Sequence, residues 1–201
     1  SPLTEMLVRA GYEHHDHILA WFMDSSWQDC EDARSTGCYI GMLQGGPVDH
    51  SLFVPELIAL SSADAEVSSM TVGLMSASQL RQATAEVLFG DSEFPLTVPI
   101  YVDSQAVIAI ASNSKMSAKT RHMTRRQLYC RQEVQNGHAK AYFVQGNEFQ
   151  LADPGTKNLQ HEQAAGKLAI IEAQVQVLNT RIELGGVVVP DVLRVEVLAI
   201  R

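Results

Sequence analysis

His17-Ile18-Leu19-Ala20-Trp21-Phe22-Met23-Asp24 is an apolar run that closes on an acid. It reads as a strand, and the polar stretch Ser25 to Ser35 that follows reads as a loop. Thr36 to Leu43 reads as a second strand. Gln44-Gly45-Gly46-Pro47 is turn chemistry that lets Val48 to Val54 return antiparallel, which makes a three-stranded meander. A helix is expected next, opening at Ser61-Ser62-Ala63-Asp64 with Ser62 as its N-cap. Val67, Met70, Leu74, Ala77 and Leu80 recur at helical spacing, and Gly90 stops the helix after Phe89. Leu96 to Val102 is continuously apolar, as suits a strand covered on both faces, and it closes on Asp103. Helices are expected over Ser104–Ala111 and Thr120–Gln135, a last strand over His138–Gln145, and irregular or briefly helical chain over Glu148–Leu159. Three antiparallel strands followed by helix-linked strands define an α/β domain with a mixed sheet and helices on its faces.

Composition narrows the class. At 201 residues and 46% apolar, the chain suits one globular domain with an extension. No window is long and apolar enough to span a bilayer, and the opening residues lack the pattern of a signal peptide. The chain starts on Ser1 rather than Met and reads as a piece of something longer. Three cysteines, Cys30, Cys38 and Cys130, form no paired spacing, so neither a disulfide framework nor a zinc site is suggested; an intracellular setting is expected. Cys38 lies in an apolar strand and reads as core. The net charge of −8 opposes nucleic-acid binding on its face. Yet Lys115, Lys119, Arg121, Arg125, Arg126 and Arg131 crowd one short stretch, and an acidic protein can carry a local basic face. From charge alone, a solvated helix face explains that stretch as well.

Acids stand at the ends of two expected strands, Asp24 and Asp103, and near the start of the long helix, Glu66. In an open α/β sheet such positions converge on one crevice. The residues around them form ordered blocks: Phe22-Met23-Asp24-Ser25-Ser26-Trp27 with Arg34-Ser35-Thr36-Gly37-Cys38-Tyr39; Ala59-Leu60-Ser61-Ser62-Ala63-Asp64-Ala65-Glu66; Tyr101-Val102-Asp103-Ser104-Gln105; Thr120-Arg121-His122-Met123; and Gln150-Leu151-Ala152-Asp153 followed by Thr156-Lys157. In order and spacing these resemble the ribonuclease H domain of Ty1/copia-type retrotransposon polyproteins, over residues 17 to 159.

The resemblance implies a ribonuclease H-like fold, a five-stranded mixed sheet flanked by helices. It also implies an endonuclease that hydrolyses the RNA strand of RNA–DNA hybrids during retrotransposon reverse transcription. Asp24, Glu66, Asp103 and Asp153 would be the catalytic and metal-binding acids. They would hold two Mg²⁺ ions, for which Mn²⁺ can substitute, because hard cations want oxygen ligands and paired ions can activate a water and stabilise the leaving oxygen. Asp153 would complete the site on the side of the attacking water, and Glu66 would hold the ion on the leaving-group side. Ser104, Gln105, Lys119, Arg121, His122, Arg125 and Arg126 are the expected substrate contacts; for His122 a packing or surface role is equally open. The expected partners are the hybrid and the reverse transcriptase region of the same polyprotein, with no membrane, in a cytoplasmic retroelement particle. The alternative is an inactive domain of the same fold, serving as a structural or nucleic-acid-binding module.

Other features read more plainly. His14-His15-Asp16-His17 suits a solvated linker rather than a metal site, since adjacent side chains of an extended chain point apart. Trp21 reads as core, and Trp27 is open to core or base-stacking roles. Residues 1–16 read as a connector and 160–201 as a C-terminal extension, a helix then a strand. There Leu168, Ile171, Val175, Leu178 and Ile182 make an apolar stripe. That stripe must cover this domain or a second copy, and self-association into a homo-oligomer is the preferred expectation.

Overall fold

The computed structural model describes residues 18–27, 34–44, 46–56, 58–112, 124–157 and 165–169. Strand β1 (Leu19–Ser26) carries the opening apolar run through the middle of the sheet, and all of it but Ser26 is buried. It pairs antiparallel with β2 (Thr36–Leu43), which pairs antiparallel with β3 (Gly46–Phe53). On its other side β1 runs parallel to β4 (Val98–Val102), which in turn runs parallel to β5 (Ala139–Phe143). Among the described residues this gives one five-stranded sheet in the order β3-β2-β1-β4-β5. The mixed sheet expected from the sequence is therefore present, and its change from antiparallel to parallel pairing falls at β1.

Alternation along β1 explains how one strand serves two layers. Leu19, Trp21 and Met23 point to one face, Ala20 and Phe22 to the other. The first face is covered by α1 (Ser62–Phe89), α2 (Gln105–Ser112) and α3 (Thr124–Gln135), which contribute Val67, Met70, Leu74, Val107, Ala111 and Cys130 to the same core. The second face meets Val144, Phe149, Leu151 and Ala152, from a segment containing two single helical turns, α4 (Gly146–Phe149) and α5 (Asp153–Thr156). Phe22 and Tyr101 stack there with centroids 4.9 Å apart, tying β1 to β4. Burying each large apolar side chain is worth about 1.5–3 kcal/mol, so both layers hold the central strands firmly.

Several boundaries differ from expectation for physical reasons. The N-cap of α1 is Ser61 rather than Ser62: the Ser61 hydroxyl accepts from the Asp64 N–H at 3.2 Å, which places the cap three residues before the donor. Strand β1 continues past Asp24, because Ser25 and Ser26 pair with Gly37 and Thr36; Asp24 is thus an interior strand residue and not a terminal one. Strand β3 begins at Gly46, and its Pro47 is tolerated because β3 is an edge strand. Strand β4 begins at Val98, and Pro99 precedes the point at which pairing with β1 starts, Ile100. Of the expected helix over 120–135, residues 124–135 are helical and 120–123 lie outside the described residues. The three-histidine cluster at 14–17, Cys30 and most of the C-terminal stripe also lie outside them.

Candidate functional site

Parallel β1 and β4 pair only at Trp21/Ile100 and Phe22/Tyr101 and then diverge. The fully buried Gln150 amide fills the gap, its Nε2 donating to the carbonyls of Met23 at 2.9 Å and Tyr101 at 3.2 Å. Asp24 follows Met23 directly, and Asp103 stands two residues after Tyr101. The diverging strands therefore set two carboxylates side by side at the crevice where an open sheet changes direction. The Ser69 hydroxyl of α1 donates to the Asp24 carbonyl at 2.7 Å, which pins the start of the long helix beside this point and brings in Glu66. Ligand oxygens of Asp24, Glu66 and Asp103 all lie within 4.8 Å of one another. Asp64, the other acid of the triplet, turns elsewhere: it accepts from the Leu60 N–H at 3.0 Å and lies 3.8 Å from Arg126.

The fourth expected acid sits differently. Asp153 opens α5, is buried, and has each carboxylate oxygen against an ammonium group. Lys157 Nζ lies 2.6 Å from Oδ1 and Lys167 Nζ 2.5 Å from Oδ2. Lys157 also reaches Asp103 at 3.0 Å and Asp24 at 3.3 Å, so it joins Asp153 to the other acids. Thr156 of the same turn donates to the second oxygen of Asp24. Two glycines permit this closeness. A Cβ on Gly146 would stand 2.6 Å from Asp103 Oδ2, and one on Gly155 would stand 2.6 Å from the Cys38 sulfur.

Crowding of carboxylates away from water makes their charge costly. Burial, reinforced by Asp103 and Asp153, raises Asp24 to about 7 against the opposing pull of Lys157 and Thr156. Burial, with Asp24 and Asp103 beside it, raises Glu66 to about 8. Burial and the nearby acids also push the Cys38 thiol up to about 12, which suits its reading as core. Divalent cations are bound through hard oxygen ligands, and three mutually repelling carboxylates that a cation would relieve fit that chemistry.

Both acids have folded-state values above their ordinary ones, so protons favour the metal-free fold. The contribution is complete below about pH 4 and is lost as pH rises through about 7 to 8. Thermal unfolding in EDTA is accordingly expected to show a Tm that falls between pH 5 and pH 8. Mg²⁺ should raise Tm more at pH 8 than at pH 5. A Tm equal at both pH values and indifferent to Mg²⁺ would contradict the electrostatic description.

The other expected contacts are mixed. The Ser104 hydroxyl accepts from the Val107 N–H at 3.4 Å and so caps α2, and Gln105 is exposed one residue further on. Arg125 is exposed and Arg126 is partly exposed beside Asp64; Lys119, Arg121 and His122 lie outside the described residues. Arg131 belongs to the core instead, buried with its Nε donating to the Ile110 carbonyl at 2.7 Å. Trp21 is buried, while Trp27 is half exposed and donates to the Ala59 carbonyl at 3.2 Å. Sequence reasoning gives no role to Lys157, Gln150 or Lys167. The signal for the first two was their place in the block that closes the resemblance. Lys167 had none, since it lies beyond residue 159.

Comparison with known proteins bears out the resemblance at two levels. No family model matches the chain. It is 25% identical over 134 residues to the retrovirus-related Pol polyprotein from transposon TNT 1-94 of Nicotiana tabacum; the match covers 66% of this chain and 10% of that relative's length. Among solved structures it is similar to the N-terminal RNase H domain of a Mycobacterium tuberculosis protein. That likeness has a TM-score of 0.50 at 11% identity and covers 80% of this chain and 97% of that one. RNase H1 from Halobacterium salinarum aligns with a TM-score of 0.46 at 12% identity over 63% of this chain and 84% of the other. The fold is the ribonuclease H fold, and the sequence is similar to part of a transposon Pol polyprotein. Among the described residues no helix is long and apolar enough to cross a membrane.

Proposed function

We propose that this domain is a divalent-metal-dependent endonuclease that hydrolyses the RNA strand of RNA–DNA hybrids, within a Copia-type retrotransposon polyprotein. The observation that carries the reading is the convergence of Asp24, Glu66 and Asp103 at the crevice between β1 and β4. Mg²⁺ held there would neutralise phosphate charge and act as a Lewis acid towards the attacking water and the leaving oxygen. Asp24 supplies an oxygen from within β1, and Asp103 one from just past the end of β4. Glu66 supplies one from the helix, and it is not among the acids that pair with Lys157. Gln150 holds the two strands at the separation that keeps the acids together. The unit extends beyond residue 159 to include 165–169, since Lys167 holds Asp153 and the carbonyls of Gly146 and Gln150. The reverse transcriptase region of the same polyprotein is the partner that delivers the hybrid, inside a cytoplasmic retroelement particle.

A specific observation favours the second reading, an inactive binding module: Lys157 already pairs with three of the acids. A hybrid labelled on its RNA strand separates the two. Nicking in Mg²⁺ and none in EDTA supports the nuclease; binding without nicking in either supports the module.

In both readings the basic stretch is the route to the backbone. Changing Lys119, Arg121, Arg125 and Arg126 together to Ala is expected to weaken hybrid binding. It should also flatten the dependence of log K on log salt by up to ~0.9 for each phosphate that is no longer neutralised. An unchanged slope in filter-binding or anisotropy titrations would return the stretch to a solvated face.

A further inference from the structure

The sequence leads to four acids around two ions, and the structure arranges three of those acids around an ammonium group. Lys157 Nζ stands within ion-pair distance of Asp24, Asp103 and Asp153, and Glu66 is not among the acids it pairs with. About a third of the lysine side chain is exposed, and its ammonium is turned onto the acids. It lies one turn after Asp153, with which it pairs, and its neighbour Thr156 donates to Asp24, so the turn carrying it is fastened to the acid it touches. Both carboxylate oxygens of Asp153 are paired, one with Lys157 and the other with Lys167.

We propose that the Lys157 ammonium stands where a second divalent cation would otherwise be held, so that the centre takes one divalent ion, on the Glu66 side, rather than two. This rests on the metal-dependent reading above and specifies it. The balance of charge supports it. Asp24, Glu66, Asp103 and Asp153 face two ammonium groups, Lys157 and Lys167, which leaves a formal excess of two negative charges, the charge of one divalent ion. A second such ion would have to sit a few ångströms from an ammonium that is already paired with the same carboxylates, and like charges at that distance repel. An ammonium can meet a phosphate oxygen as a point charge, but it has no open coordination position to offer a water. The side of the site near Asp153 therefore supplies charge and position, and the Glu66 side keeps the coordination chemistry.

The test counts ions on the full chain. Mn²⁺ is titrated in the presence of a hybrid whose RNA strand is 2′-O-methylated, so that it binds but offers no 2′-hydroxyl for cleavage, with the hybrid alone as the blank. Electron paramagnetic resonance reads both the number of ions bound and whether they are close enough to couple. The expected result is one uncoupled Mn²⁺ per chain in the unaltered protein and in Lys157→Arg, and two coupled ions in Lys157→Met. Two coupled ions in the unaltered protein would overturn the proposal and leave the nuclease reading standing, as would a single ion in folded Lys157→Met. No bound Mn²⁺ together with no hybrid cleavage would overturn the metal-dependent reading itself. Should Lys157→Met fail to fold, the counts for the unaltered protein and Lys157→Arg still decide.

Discussion

Asp103→Asn is expected to lower hybrid cleavage about a thousandfold or more while leaving the fold intact. The amide has the shape of the carboxylate but not its charge. What disappears is the electrostatic support of a cation worth several kcal/mol at the transition state, at ~1.4 kcal/mol per tenfold. The fold should survive, because Asp103 lies just past β4, is partly exposed, and has its ion pair with Lys157 rather than a place in the apolar core. Single-turnover cleavage beside circular dichroism separates the two effects. A loss below tenfold in a folded variant would remove Asp103 from the chemistry.

Lys167→Met is expected to cost about 3 kcal/mol of stability. The Lys167 ammonium is 3% exposed and is spent entirely inside the protein, on the Gly146 carbonyl at 2.7 Å, the Gln150 carbonyl at 2.9 Å and Asp153 at 2.5 Å. Methionine keeps the unbranched stem, lacks the terminal nitrogen and strands these acceptors. Removing one partner of a buried pair costs ~3–5 kcal/mol, and the pairing of Asp153 with Lys157 that remains puts this case at the lower end. Urea denaturation measures it, and truncation after Leu159 should cost at least as much. A loss under about 1 kcal/mol for both would mean that residues 165–169 do not pack on the domain in solution.

That packing also bears on what the sequence could reveal. The apolar stripe of the tail left Leu168 to cover this domain or a second copy. On this domain the inward residue is Lys167, and Leu168 is exposed. Hydrophobic periodicity finds the face of a helix that meets an apolar core, but it cannot see a helix whose first contact is a buried carboxylate. The strands and the long helix were legible because their burial alternates or recurs, as at Trp21, Met23, Val67 and Leu74. Their ends were less so. Asp24 looked terminal because apolar residues stop there, whereas the pairing of Ser25 with Gly37 is made by backbone, which side-chain pattern does not report.

The site shows the same division. Asp24, Glu66 and Asp103 stood out because acids at strand ends and helix starts are conspicuous, and the resemblance chose Glu66 over Asp64, the choice the contacts of Asp64 also favour. Lys157 and Gln150 were in plain view, within the block around Asp153, yet had no assigned role. A lysine after an acid is ordinarily a solvated residue, and a glutamine has no pattern of its own. Their importance comes from contacts across more than a hundred residues of chain separation, Gln150 to Met23 and Lys157 to Asp24, which spacing does not encode.

The most direct measurement is cleavage of three duplexes of one sequence, RNA–DNA, RNA–RNA and DNA–DNA, each labelled on one strand and then the other, in Mg²⁺, in Mn²⁺ and in EDTA. The result expected is internal nicking of the RNA strand of the hybrid alone, present with either cation and absent in EDTA. A folded protein that leaves the hybrid intact in both cations, or that cuts the DNA–DNA duplex as readily, would contradict a hybrid-specific, metal-dependent nuclease centred on Asp24, Glu66 and Asp103.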